Sequence, residues 1–150
     1  DTAVGDPAPG AGGGCAERGL PVDRDAAACP CGSGAAYAGC CEPLHDGREQ
    51  AATAERLMRS RYSAYALGRS DHLFRNWHPR TRPADVDPVP GLVWTGLRVL
   101  AVEAGGEDDT KGVVEFEARH DGAGGPGVLH ERSRFVRRGG RWVYLDGSAP

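Results

Sequence analysis

The apolar residues that follow position 50 repeat with the spacing of a helix. At about 100° per residue, one stripe gathers Ala54, Leu57, Met58, Tyr62 and Tyr65. Gly68 comes directly after this segment, and glycine commonly ends a helix because it tolerates the left-handed conformation of the C-terminal cap. The pattern predicts a helix over 50–67, followed by a shorter helix that Ser70 caps and that ends at Trp77.

Beyond residue 90 the period changes to two, which is typical of strands that are buried on one face. Four strand candidates, separated by glycine-rich turns, lie near 92–104, 111–120, 127–137 and 140–146. The pair Gly139 and Gly140 predicts a two-residue hairpin between the last two strands. Gly96, inside the first strand, predicts a bulge and therefore a curved sheet.

Alternation along these strands divides their side chains between the two faces of the sheet. One face collects Val114, Phe116 and Ala118 from the second strand, Leu129, Glu131, Ser133 and Phe135 from the third, and Trp142, Tyr144 and Asp146 from the fourth. Glu131 and Ser133 are polar residues among apolar ones, and Arg61 falls in the middle of the helix stripe. A buried charge is costly without a partner, so Arg61 either pairs, with Glu131 as the obvious candidate, or faces a cavity. The alternative is that its stem packs while its guanidinium extends to water.

These elements predict an α+β fold, in which two or three helices pack into a cone formed by a curved antiparallel sheet over residues 48–150. The candidates for a binding pocket inside the cone are Arg61, Tyr62, Trp77, His78, Glu131, Ser133, Trp142, Tyr144 and Asp146. Of these, His78 precedes a proline at a helix end, a place that is typical of capping as well as of a base or ligand.

Composition sets the first residues apart from this cone. The chain of 150 residues has 23 glycines and 11 prolines, and residues 1–28 contain Cys15 but no aromatic side chain. We therefore predict a disordered tail with one free thiol. The net charge of −3 lies in that tail and the remainder is formally neutral, which argues against a general binder of nucleic acid or of membranes. Because no apolar leader and no membrane-length apolar run is present, we expect a cytoplasmic protein.

Four cysteines lie within thirteen residues, at positions 29, 31, 40 and 41. Cross-paired disulfides would need an oxidising compartment, whereas a metal site needs four sulfurs around one centre. The intervening residues favour the metal, because Gly32 and Gly34 allow the loop to turn back with positive φ. Residues 35–39 are long enough for one helical turn.

The cysteine pattern therefore predicts a structural Zn²⁺ in a small knuckle over 29–47, held by Cys29, Cys31, Cys40 and Cys41. Arg48 is expected nearby, where it would moderate the charge of the four thiolates. The sequence does not tell whether the knuckle packs against the cone.

The cysteine segment also resembles a known motif. Cys29-Pro30-Cys31-Gly32-Ser33-Gly34, then Tyr37, then Cys40-Cys41 is similar at every ligand position to the SEC-C zinc motif at the C-terminus of the SecA ATPase. The resemblance implies zinc as the cofactor and a protein partner that docks on the knuckle. Family members that bind a partner usually carry lysines around the tyrosine, where this chain has Ala35, Ala36, Ala38 and Gly39.

A wider resemblance covers about residues 29–147. The segments that are similar to the bacterial YchJ family are 53–65, Trp77-His78-Pro79, 129–135, Gly140-Arg141-Trp142 and Asp146-Gly147. This resemblance implies a SEC-C knuckle followed by a cone of the nuclear-transport-factor-2-like type. It also implies a metal-binding protein.

Two functions from different classes fit these features, and the sequence does not decide whether the protein is an enzyme. The first is a binding or adaptor module, in which a structural zinc shapes the knuckle and the cone holds a small molecule or a protein partner. The second is an acid–base lyase, isomerase or hydrolase that uses the cavity around Arg61, Glu131 and Asp146.

A third hypothesis, nucleic-acid binding, would rest on the seven arginines of residues 55–82. Residues 85–109 hold six acids. This balance favours two opposite patches that lie against each other over a track for phosphates.

Overall fold

The structure is a computed structural model that describes residues 27–150. The predicted disordered tail, with Cys15, lies outside the described residues except for Ala27 and Ala28. These two residues pair with the knuckle, because the Tyr37 amide donates to the Ala27 carbonyl at 2.8 Å and Ala28 forms a β-bridge with Ala36.

Helical segments precede the strands along the described chain. They are a 3₁₀ helix at Tyr37–Gly39, α1 at Glu42–His45, α2 at Ala54–Leu67 and α3 at Ser70–Arg75. The strands are β1 at Val93–Ala104, β2 at Lys111–Asp121, β3 at Gly127–Arg138 and β4 at Arg141–Ser148. The predicted α+β class is confirmed.

Capping residues set both ends of α2. The Thr53 hydroxyl accepts a hydrogen bond from the Arg56 amide at 3.1 Å, so the helix begins at Ala54 rather than at the predicted residue 50. Gly68 ends the helix as predicted, in the left-handed conformation with φ of 75°.

The shorter helix α3 differs from its prediction at both ends. Ser70 is its first residue instead of its cap, and the helix stops at Arg75 instead of Trp77. The backbone that follows bonds to β4, since the Tyr144 amide donates to the Asn76 carbonyl at 2.7 Å. This pairing takes Trp77 out of the helix and places it beside β4.

The sheet is an antiparallel meander with the strand order β1-β2-β3-β4. Each strand begins and ends within two residues of its prediction. The register shifts between Trp94 and Gly96, which is the predicted bulge. Gly139 and Gly140 have φ of 62° and 82°, the positive values that a two-residue hairpin turn requires.

Helix α2 packs its apolar stripe against the inner face of the sheet. The buried cluster there consists of Ala54, Leu57, Met58, Val114, Phe135 and Trp142. Val114 and Ala118 are both buried, so the predicted inner face of β2 is confirmed. None of the helices in residues 27–150 is long and apolar enough to cross a membrane.

The knuckle packs on α2 and α3 through arginine side chains. Four arginines donate to backbone carbonyls of the knuckle: Arg59 Nη1 to Cys31 at 2.7 Å, Arg56 Nη2 to Cys40 at 2.9 Å, and Arg69 Nη2 and Arg75 Nη2 to His45 at 3.1 Å and 2.9 Å. Some arginines of the basic stretch at 55–82 therefore form hydrogen bonds within the molecule.

Candidate metal centre and cone cavity

The four knuckle cysteines converge on one point. Gly32 and Gly34 have φ of 79° and 88°, so the loop after Cys31 can reverse its direction. The 3₁₀ helix then returns the chain to Cys40 and Cys41. All four Sγ atoms lie within 4.8 Å of one another.

These spacings suit a tetrahedral metal ion. The Sγ atoms of Cys31 and Cys40 are 3.6 Å apart, and those of Cys40 and Cys41 are 4.0 Å apart. Four sulfurs that each lie about 2.3 Å from a central zinc form a tetrahedron with edges of about 3.8 Å. The thiols of the cluster are free rather than disulfide-bonded, and all four residues are buried. The cluster can therefore hold a metal ion.

Hydrogen-bond donors around the cluster favour thiolates. The Ser33 hydroxyl lies 3.1 Å from the Cys40 sulfur. Hydrogen bonds from Cys29 and then from Cys41 hold the pKa of Cys31 well below its usual range, and the backbone amide of Ser33 acts in the same direction. Donors that are not themselves ligands, here the Ser33 hydroxyl and amide, stabilise the negative charge that thiolate ligands bring to a metal site.

The arginine that contacts a cluster sulfur is not the predicted one. Arg48 is mostly exposed and pairs with Asp46 at 3.3 Å. Arg56 reaches the cluster instead, with its Nη1 atom 3.9 Å from the Cys40 sulfur. The reason is that the first turn of α2 runs beside the knuckle, so a long side chain on that turn points back at the sulfurs.

A buried chain of hydrogen bonds, which the sequence pattern did not predict, joins the knuckle to α2 and α3. His45 Nε2 donates to the Ser60 carbonyl at 2.9 Å, which leaves Nδ1 to accept from the Tyr37 hydroxyl at 2.7 Å. The Ser60 hydroxyl donates to the Leu57 carbonyl at 2.7 Å and accepts from His72 Nε2 at 2.8 Å. Burial lowers the pKa of both histidines, and that of His72 falls to about 3. Both rings are therefore neutral at physiological pH.

A cavity of about 310 Å³ lies between α2 and the sheet. Six of the predicted pocket residues line it: Arg61, Tyr62, Trp77, Glu131, Ser133 and Tyr144. The rest of its wall, which the sequence did not assign to a pocket, is Met58, Tyr65, Trp94, Phe116, Ala118, Leu129 and Phe135. Trp94 is only partly buried and Leu129 is exposed, so the cavity is open to solvent on that side.

Arg61 is a buried cation of the cavity wall, with only 5% of its surface exposed. Its guanidinium carbon lies 4.6 Å from the centre of the Trp77 ring and 4.5 Å from the centre of the Tyr144 ring. Its Nη1 atom donates to the Leu73 carbonyl at 3.2 Å and to the Asn76 side-chain oxygen. Burial lowers its pKa to about 10, so the side chain stays charged at neutral pH.

Glu131 forms no ion pair with Arg61. The buried guanidinium faces the cavity instead, which was one of the expected arrangements, and its burial overturns the alternative in which it extends to water. The Oε2 atom of Glu131 accepts from the Ser133 hydroxyl at 2.6 Å and from the Tyr144 hydroxyl at 3.2 Å. A Cβ atom at Gly147 would overlap this carboxylate, so the glycine provides its space. The ion pair does not form because Tyr144 lies between the two charges, with its ring on the guanidinium and its hydroxyl on the carboxylate.

A bulge in β4 moves Asp146 away from the predicted pocket. Phe135 of β3 pairs with Tyr144 of β4, whereas its neighbour Arg134 pairs with Asp146. Leu145 is therefore the extra residue of the bulge. The extra residue interrupts the alternation of β4. Asp146 therefore shares the side of Arg134 and accepts from its Nε atom at 2.7 Å.

Trp142 and His78 also lie outside the cavity. Trp142 belongs to the buried core below the start of α2, and its indole nitrogen donates to the Ala52 carbonyl at 3.2 Å. His78 Nδ1 accepts from the Arg80 amide at 3.1 Å in the turn that follows α3. This is a capping contact, one of the two roles that its position before a proline suggested.

Known proteins match both parts of this architecture. Residues 53–147 match the family described as "YchJ, middle NTF2-like domain". The UPF0225 protein of Streptomyces coelicolor is 51% identical over 119 residues, which cover 79% of this chain and 93% of that protein. This chain belongs to the YchJ family. A second YchJ relative, the UPF0225 protein of Deinococcus radiodurans, is 51% identical over 121 residues and covers 80% of this chain and 88% of its own.

Two solved structures extend the YchJ comparison to three dimensions. A SEC-C motif containing protein from Rhodopseudomonas palustris, determined in solution, has a TM-score of 0.73 and 38% identity, and covers 81% of this chain and 98% of its own. The crystal structure of a SEC-C motif containing protein from Psychrobacter arcticus has a TM-score of 0.69 and 27% identity, and covers 85% of each chain. The predicted family and fold are confirmed, and all these relatives are bacterial.

Proposed function

We propose that this YchJ protein is a zinc-binding adaptor module, in which Zn²⁺ shapes the knuckle and the cone binds a small molecule or a partner. The observation that carries the proposal is the convergence of four buried, free cysteine sulfurs within 4.8 Å. The knuckle rests on α2, the helix that also supplies Arg61 and Tyr62 to the cavity wall. Helix α2 therefore takes part both in the metal-dependent folding of the knuckle and in binding inside the cone.

Zn²⁺ suits four thiolates in a tetrahedral arrangement, and such a closed site is structural because it leaves no position for water or substrate. Cys29, Cys31, Cys40 and Cys41 would hold the ion. When bound, zinc contributes folding free energy, about 10 kcal/mol or more in zinc-finger peptides. The knuckle needs this contribution, since Tyr37 is the one apolar side chain packed against its cysteines in the described chain. The reducing cytoplasm suits such free thiols.

Binding accounts for the cavity better than catalysis does. The catalytic alternative requires Arg61, Glu131 and Asp146 around one substrate, and Asp146 pairs with Arg134 elsewhere. Among the described residues, Glu131 is the one carboxylate that lines the cavity and no histidine does, so acid–base catalysis there would depend on a single carboxylate. The cavity offers aromatic surface and two separate charges, which are features of recognition sites.

A protein partner would meet the knuckle at residues 32–36, which are exposed. Their side chains are small and uncharged, so a partner would recognise their backbone and shape rather than a charge. Binding of nucleic acid has less support, because Arg56, Arg59 and Arg75 already donate to knuckle carbonyls.

Metal analysis of the purified full-length chain tests the zinc proposal. We expect one zinc per chain in the wild type and less than about a tenth of that content in Cys40→Ser after dialysis, because loss of a thiolate opens the site. The matched control is Cys15→Ser, which removes the fifth cysteine and should keep the wild-type zinc content. Stoichiometric zinc in Cys40→Ser, or an equal loss in the control, would refute the ligand assignment.

A further inference from the structure

We propose that the cone cavity binds a free α-amino acid with an aromatic or long aliphatic side chain. The ligand carboxylate pairs with Arg61, its ammonium group pairs with Glu131, and its side chain lies between the apolar walls. This inference rests on the proposed function, because it names the ligand class of the same cavity.

The first observation is a buried cation that has no anion. Arg61 is 95% buried, and its neighbours are neutral: the rings of Trp77 and Tyr144, the Leu73 carbonyl and the Asn76 amide. Its hydrogen bonds to Leu73 and Asn76 both leave from Nη1, and the Tyr65 hydroxyl, which is also neutral, lies close to the guanidinium. A planar guanidinium binds a carboxylate through two parallel hydrogen bonds. A ligand carboxylate in the cavity would therefore supply the missing counter-charge.

The second observation is a carboxylate in the same cavity that has no cation. Glu131 Oε2 accepts from two neutral hydroxyls, those of Ser133 and Tyr144, and Oε1 accepts no hydrogen bond from residues 27–150. Gly147 leaves room for the carboxylate without contributing a donor side chain. An ammonium group of a ligand would satisfy the remaining acceptor capacity of Glu131.

The two charges together select a ligand that carries both signs. A purely anionic ligand would pair with Arg61 but be repelled by the negative charge of Glu131. A purely cationic ligand would pair with Glu131 but be repelled by the positive charge of Arg61. Such like-charge contacts discriminate against the wrong ligand. An α-amino acid carries a carboxylate and an ammonium group on one carbon, so it can form an ion pair with Arg61 and another with Glu131 at the same time.

The remaining wall selects an apolar side chain of limited size. Trp94 and Tyr62 meet edge to face with ring centres 6.1 Å apart, and Phe116, Phe135 and Met58 complete this surface. Aromatic walls of this kind suit flat or branched apolar groups. A volume of about 310 Å³ is at the lower end for small-molecule pockets, which suits a ligand of amino-acid size.

Calorimetric titration of the zinc-loaded full-length chain tests this inference with three compounds. L-phenylalanine carries both charges, 3-phenylpropionate lacks the ammonium group, and 2-phenylethylamine lacks the carboxylate. We expect L-phenylalanine to bind and each analogue to bind at least about tenfold more weakly, because one buried charge loses its partner. An analogue that binds as tightly as L-phenylalanine would overturn the proposal. This comparison needs only the wild-type chain.

A matched pair of variants assigns the ammonium site. Glu131→Gln keeps the shape of the side chain and removes its charge, whereas Glu117→Gln removes a carboxylate of β2 that does not line the cavity. We expect Glu131→Gln to weaken L-phenylalanine by at least about tenfold without weakening 3-phenylpropionate. Glu117→Gln should match the wild type. Unchanged binding of L-phenylalanine to a folded Glu131→Gln chain would contradict the assignment.

Zinc analysis of the same samples separates failure of this inference from failure of the proposed function. If an analogue binds and L-phenylalanine does not, the amino-acid class is overturned while the cone still binds small molecules. If none of the three compounds binds and zinc stays stoichiometric, the ligand class is overturned and the zinc part of the proposed function stands.

Discussion

Tyr144 keeps the two charges of the cavity apart. Its ring lies 4.5 Å from the guanidinium carbon of Arg61, and its hydroxyl donates to Glu131 Oε2 at 3.2 Å. Burial, together with the nearby carboxylate, raises the pKa of Tyr144, so the hydroxyl remains a donor at neutral pH. A charged pair that one tyrosine holds apart is available to a ligand, whereas a closed salt bridge would not be.

His72 is a second residue whose role depends on burial. It is 4% exposed, and burial lowers its pKa to about 3, below the ordinary value of 6.5. Its Nε2 atom donates to the Ser60 hydroxyl at 2.8 Å, so the neutral ring is part of the packing. The titratable or charged groups around it are His45, Arg75, Arg61 and Asp71.

The depressed pKa of His72 predicts a loss of stability in mild acid. The unfolded chain takes up the proton below pH 6.5 and the folded chain does not, so this contribution is complete above pH 6.5 and decreases as the pH falls toward 3. Between pH 7.5 and pH 5, His72 alone should lower the free energy of unfolding by about 2 kcal/mol. Urea unfolding at both pH values measures this loss.

The comparison variant is His72→Gln, which cannot titrate but keeps a side-chain amide. All other acid-sensitive groups, including the knuckle thiols, are the same in both proteins. The pH-dependent loss should therefore be about 2 kcal/mol smaller in the variant. Equal losses in the two proteins would show that His72 is not held neutral by the fold.

At the scale of elements, α2 serves three parts of the molecule. Its apolar stripe packs on the sheet, its Arg61 and Tyr62 line the cavity, and its Arg56 and Arg59 hold the knuckle. The helical period separates these tasks, because Arg56 and Arg59 lie outside the apolar stripe while Arg61 lies within it.

Removal of one docking arginine tests this division. Arg59→Ala leaves the Cys31 carbonyl without its donor and removes the ion pair with Glu55, which measures 3.0 Å. We expect the free energy of unfolding of the zinc-loaded chain to fall by about 1–3 kcal/mol, as measured in urea. The control Arg48→Ala removes only an exposed pair with Asp46 and should change it by less than about 0.5 kcal/mol. Equal effects of the two variants would contradict docking by Arg59.

At the scale of the whole molecule, hydrogen bonds join the knuckle to the helices of the cone. Arginines of both helices bond to knuckle carbonyls, and the buried chain of hydrogen bonds continues from Tyr37 to His72. Loss of the knuckle structure would leave these polar groups without partners, which destabilises the helices that carry them.

Metal removal should therefore affect more than the cysteine segment. After chelation of zinc, we expect a single thermal transition with a midpoint lowered by at least about 5 °C. Hydrogen exchange should become faster in the first turns of α2, while the pairing of β2 with β3 stays protected. A midpoint that does not change, or two independent transitions, would show that the knuckle and the cone are uncoupled.

Particular residues show how much of the structure could be predicted from the sequence pattern. The strand ends and the inner face of β2 were predictable because alternation depends on the backbone alone. Gly96 indicated the bulge between Trp94 and Gly96, but no glycine indicates the bulge at Leu145 in β4. Strict alternation along β4 therefore assigned Asp146 to the inner face of the sheet, which is the wrong one. The buried histidine chain was missed too, although serines at 60 and 63 inside a packed helix were a signal that buried hydroxyls need partners.

Local spacing alone decided which cysteines come together, which strand faces are apolar and to which family the chain belongs. These features follow from backbone periods and short loops, which act over a few residues. Only the folded molecule decided that Arg61 contacts the rings of Trp77 and Tyr144, that Glu131 has no ion-pair partner, and that Arg56 rather than Arg48 reaches the sulfurs. Those contacts depend on the distances and angles between elements far apart in the chain, which no local pattern contains.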